Sequence, residues 1–110
     1  MGRWLRILVV GLATAQLAAC ASFEGARYYR SGSDALERGE VDRAIRDLEH
    51  AARLLPEASE VRNHLGIAYL EAGRSDEALR EFEEAVALDC TNDAAVHNLR
   101  AAQAPPPSER

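Results

Sequence analysis

Residues 38–58 read RGEVDRAIRDLEHAARLLPEA and residues 72–92 read AGRSDEALREFEEAVALDCTN; a shift of 34 lays the first over the second. The overlay pairs Gly39 with Gly73, Asp42 with Asp76, Ala44 with Ala78, Leu48 with Phe82, Ala51 with Ala85 and Leu54 with Leu88. It extends outward as well. Gly32 falls on Gly66, and Asn63-His64-Leu65 leads to His97-Asn98-Leu99. A fixed period of this length marks a repeat architecture, in which no unit buries its apolar face without a neighbour. Within DEALREFEEAVAL, from Asp76, the residues Ala78, Leu79, Phe82, Ala85, Val86 and Leu88 follow the three-four spacing of a helix with one buried face, and the acids fall on the other. The same reading predicts helices over 24–38, 42–55, 59–72, 76–89 and 93–103, with Gly39 and Gly73 in the turns inside each unit.

The unit from Ser59 to Asn92 carries Leu65-Gly66, Tyr69, Ala78-x3-Phe82 and Ala85; the unit from Gly25 to Ala58 carries Tyr28, Gly32, Ala44-x3-Leu48, Ala51 and Pro56. These residues resemble a tetratricopeptide repeat. A third unit starts at Asp93 and supplies only its first helix before APPPSER ends the chain. The resemblance implies an all-α solenoid of about two and a half helix-turn-helix units: a domain over 25–103, made of repeat 25–58, repeat 59–92 and terminal helix 93–103, then a proline-rich tail over 104–110. Small residues at Gly32, Gly66, Ala44, Ala78, Ala51 and Ala85 fit helices that approach closely, with Leu48, Phe82, Leu54 and Leu88 filling the space beside them. Three positions depart from the pattern: Ser31 stands for a Leu, Arg62 for a bulky aromatic, and Cys90 for a closing Pro. RSGSDAL, from Arg30, has poor helix propensity, which predicts a frayed opening helix.

By the same resemblance the first helix of each unit lines a concave surface that holds an extended peptide or a partner helix. That surface comprises Tyr29, Arg30 and Ser33, then Asn63, His64, Ile67 and Leu70, then His97 and Asn98. A carboxylate clamp of the kind some relatives use is not supported, because the chain has no lysine. Val96, Leu99 and Ala102 on the last helix lack a following helix to cover them, which predicts docking through this end on another protein or on a second copy, as a homo-oligomer. His50, on a second helix, reads as surface.

Upstream lies MGRWLRILVVGLATAQLAAC, with Arg3 and Arg6 before an apolar run from Ile7 to Ala15 and small residues after it. This is the layout of a secretory signal. The clean apolar run is about half the ~20 residues that a membrane-spanning helix needs. Leu17-Ala18-Ala19-Cys20 resembles the bacterial lipoprotein lipobox, which implies cleavage after residue 19, acylation of Cys20 and a short tether over 20–24. Ala21, in place of Asp, points to the outer membrane, with the domain on its periplasmic side. An ordinary signal with Cys20 incidental, or a retained anchor, is the alternative.

Composition narrows the function. All 13 basic residues are arginine against 18 acids, a net charge of −5, and cleavage before Cys20 removes two arginines to leave −7. No clustered basic face suggests nucleic acid as a partner. There is no phosphate-binding Gly loop, no HExxH, no CxxC and no nucleophile-base pairing that the repeat would assemble, so neither a catalytic residue nor a cofactor is expected. Glu81, Glu83 and Glu84 read as a solvated face, and two histidines do not make a metal site. Cys90 reads as a turn residue ahead of a role in an intermolecular disulfide. The expected function is a lipid-anchored adaptor, the alternative a self-associating structural subunit.

Overall fold

A computed structural model describes residues 2–105. Five helices follow one another: α1 (Gly2–Glu37), α2 (Val41–Leu54), α3 (Ser59–Glu71), α4 (Ser75–Leu88) and α5 (Asp93–Gln103), with no strand among the described residues. α1 packs on α2 and α3 on α4 as hairpins, α2 packs on α3 to join the two repeats, and α5 closes on α4. The four later helices begin and end within a residue of the positions that apolar spacing predicts.

Two identical turns make the hairpins. Gly39 and Gly73 have φ of +73° and +75°, the left-handed region that only glycine enters without strain. At the first turn Gly39 N–H donates to the Leu36 carbonyl and Glu40 N–H to Ala35; at the second, Gly73 donates to Leu70 and Arg74 to Tyr69. This is the Schellman pattern, which uses up carbonyls that the helix end would leave unpaired. Inside each hairpin a second pair of glycines permits close approach. A Cβ at Gly32 would stand 2.6 Å from Leu48 Cγ, and one at Gly66 would stand 2.5 Å from Phe82 Cε1. Leu48 and Phe82 are accordingly the bulkiest side chains that are wholly buried. Ala44, Ala51, Ala78 and Ala85 around them are buried too.

The connection after α4 explains how the chain does without its closing proline. After α2, Pro56 restricts the backbone. After α4, the Asp89 carboxylate instead accepts from the Thr91 N–H at 2.9 Å and from the Thr91 hydroxyl at 2.6 Å, which folds the turn and holds the Asp89 carboxyl below its ordinary range. Cys90 itself is exposed. Asn92 then caps α5: its Oδ1 accepts from the Ala95 N–H at 3.1 Å, while its Nδ2 donates to Ser59 Oγ at 2.9 Å.

The first helix differs from expectation. It begins at Gly2, not at residue 24, and runs 36 residues without a break, long and apolar enough in its first half to cross a membrane by length and composition. Ala- and Leu-rich sequence with no proline lets the apolar leader continue into the repeat. The 20–24 segment is therefore helical, and Gly25, one turn beyond Cys20, is already buried against Leu55. RSGSDAL is helical as well. Gly32 costs intrinsic helicity there, but its missing side chain is what admits Leu48, and Ser31 donates to Asp47 at 2.7 Å. The tail is described only at Ala104 and Pro105; the rest of it lies outside the described residues.

The far end also differs. Of the three residues expected to be open on α5, Leu99 and Ala102 pack against the core while Val96 is half-buried outside it, so the apolar stripe is half-covered. Register supplies the reason. The residue 34 beyond Gly66 is Arg100, and the one 34 beyond Tyr69 is Gln103, both exposed. A further helix seated as α4 is on α3 would meet a guanidinium where the packing needs glycine. α5 therefore offers polar groups at Arg100 and Gln103 beside a stripe of which Val96, Leu99 and Ala102 stay partly exposed.

Candidate functional site

The first helices of the units, α1, α3 and α5, are tied by a diagonal ladder. Tyr29 Oη lies 3.3 Å from His64 Nδ1, with the rings edge-on at 88° and their centroids 5.2 Å apart. Asn98 Nδ2 donates to Asn63 Oδ1 at 2.9 Å. Both links span 35 residues, one more than the period, so each bonds a position of one unit to the next position along in the following unit. His64 Nδ1 is also 3.0 Å from the Glu60 carbonyl. A single ring nitrogen cannot donate to that carbonyl and accept from the Tyr29 phenol at once, so the tautomer selects between the two. Burial, then the Glu60 carboxylate, holds the Tyr29 phenol above its ordinary pKa.

Beside this ladder α1 and α3 enclose a shallow hollow lined by Tyr29, Arg30, Ser33 and His64, together with Ala26, Asp34 and Glu37. Four of the nine residues expected on the concave surface thus come together. Asn63 does not join them: it is buried at 5 % exposure and accepts from Asn98, so these two amides brace α3 against α5. Ile67 leans on the core, while Leu70 and His97 are exposed beyond the hollow. Asp34 and Glu37 were not anticipated, although their helical spacing from Arg30 and Ser33 puts them on the same face.

The opposite side carries paired groups. The Tyr69 hydroxyl donates to Glu49 at 2.6 Å, and Arg74 lies over the Tyr69 ring at 4.6 Å while its Nε donates to Glu77 at 2.8 Å. Burial first, then the bond and charge of Glu49, push the Tyr69 phenol well up. Arg62, in place of the expected aromatic, donates to Glu81 at 3.1 Å across α3 and α4; Glu81 is therefore a half-buried strut, and only Glu83 and Glu84 form the solvated face. His50 is not plain surface either: its ring packs against Tyr28 at a tilt of 48°, with centroids 4.1 Å apart. Among the described residues no three His, Cys, Asp or Glu side chains gather as a metal site would require.

Residues 29–95 match the family model described as tetratricopeptide repeat. No curated protein matches the chain.

Proposed function

Because the chain belongs to the tetratricopeptide repeat family, whose domains bind protein partners, we propose that it is a non-catalytic adaptor, acylated at Cys20 and held at the periplasmic face of the outer membrane. The hollow between α1 and α3 carries this reading: away from its Arg30–Asp34 rim it joins an aromatic donor at Tyr29, a hydroxyl at Ser33, an acid at Glu37 and an imidazole at His64 on one open surface, which suits the backbone and side chains of a peptide or helix. Leu70 and His97 are exposed on α3 and α5, where the family's layout would continue that surface. The lipobox residues Leu17 to Cys20 support the anchor, being exposed on α1 and open to a processing enzyme.

Two measurements test the reading. Mass spectrometry of the chain extracted from membranes is expected to find it starting at an acylated Cys20; an uncut chain, or one lacking the acyl groups, contradicts the anchor. Leu70→Glu puts a charge on the exposed part of the surface, and it is expected to abolish co-purification of the partner while leaving helicity and acylation unchanged. Undiminished recovery of the partner with Leu70→Glu would move the binding surface elsewhere.

A further inference from the structure

α1 turns one face away from every other helix. Opposite the buried Gly25, Gly32 and Ala35 stand Phe23, Arg27, Arg30 and Asp34, all exposed, with Cys20 one turn before them and Arg38 one turn after. Phe23 is 70 % exposed. Arg27, Arg30, Asp34 and Arg38 line a shallow hollow with Ser31 and Arg43. Arg43 is committed to Glu40 at 3.2 Å and Asp47 at 3.7 Å; Arg27, Arg30 and Arg38 have no ion pair among the described residues. Charge is uneven along the chain. From Cys20 to Ala58 six arginines face eight acids, net −2, and from Ser59 onward five face ten, net −5.

Another helical repeat is a poor occupant for this edge. A preceding unit would pack on Ser31, where the second unit has Leu65, yet the Ser31 hydroxyl is spent on Asp47 and accepts from Arg43 at 3.2 Å. A bilayer fits better. Phe23 suits the boundary between headgroups and acyl chains, and arginines lay their stems on apolar surface while the guanidinium reaches phosphate. We infer that α1 lies along the bilayer on this face, with Phe23 at the interface and Arg27, Arg30 and Arg38 on the phosphates of anionic phospholipids; the inference rests on the acylation of Cys20 proposed above. The acidic second repeat then points away from the lipid. An upright α1 would instead lift Arg38 ~27 Å along the helix axis from Cys20.

Trp4 precedes Cys20 and is the one tryptophan of the sequence, so the processed chain offers a silent background for reporters. Asp34→Trp, Arg38→Trp and Phe23→Trp report along the face, and Glu83→Trp, on the exposed side of α4, is the control. Each acylated chain is placed in phosphatidylcholine vesicles containing phosphatidylglycerol and lipids brominated near the headgroup. Strong quenching is expected at 23, 34 and 38 and none at 83. Adding Arg27→Gln and Arg30→Gln to the Arg38→Trp chain is expected to remove the quenching at 38, with position 23 still quenched in the matching double variant of Phe23→Trp. Quenching at 23 alone, on a chain whose mass shows the acyl groups, overturns the inference and leaves the anchor intact; absence of the acyl groups overturns both. A photo-crosslinker at Arg27 that captures an acidic protein in place of lipid also overturns it.

Discussion

Gly66 is where a single methyl group decides the packing of a repeat. Its Cβ would stand 2.5 Å from the Phe82 ring, so Gly66→Ala is expected to lower stability by ~1–3 kcal/mol in urea unfolding, as overpacked cores do. Arg100, its counterpart in the next unit, is exposed, and Arg100→Ala is expected to stay within ~0.5 kcal/mol of wild type. Tyr69 makes a pH-dependent contribution. Its folded phenol is raised above the ordinary 10.0, so its share of stability is complete below that pH and is lost as pH rises above it toward the folded value. Tyr69→Phe is expected to cost ~1.5–3 kcal/mol at neutral pH through loss of the bond to Glu49, with the difference from wild type shrinking in alkaline unfolding titrations. At this scale the sequence was legible wherever the period repeats a residue: the two glycine pairs, the alanines, Leu48 and Phe82. The diagonal ladder was hidden, because its spacing of 35 is not the period and the burial of Asn63 depends on a partner two helices away.

The ends of α1 and α3 follow from the glycine turns at Gly39 and Gly73, and α5 starts at a side-chain cap, whereas α2, α3 and α4 start without one and fall where apolar spacing puts them. Asn92 is that cap. It caps α5 and also donates to Ser59, so Asn92→Ala is expected to cost more than the ~1 kcal/mol of an ordinary N-cap, with exchange protection lost first in α5. α1 starts at Gly2 and not at residue 24, because nothing between Ala15 and Gly25 stops a helix. The apolar stripe of α5 is only half-covered, and its orientation is not legible in the sequence. Leu99 and Ala102 have helical spacing that does not reveal which side they face, and Arg100 discloses it only once Gly66 is seen against Phe82.

As a whole the molecule is a short stack finished with polar groups at both ends, by Ser31 bonded to Asp47 at one and by Arg100 and Gln103 at the other. Polar groups at both ends disfavour extension by a further packed repeat, and the surface along α1, α3 and α5 stays open. The most direct measurement is a photo-crosslinking scan of the full chain in intact cells, with the crosslinker placed in turn at His97 on the open surface, Glu83 on α4, and Gln103 at the end of the stack. The expected result is an adduct with a different protein from His97 and none from Glu83 or Gln103. A self-adduct from Gln103, with His97 silent, would contradict the account.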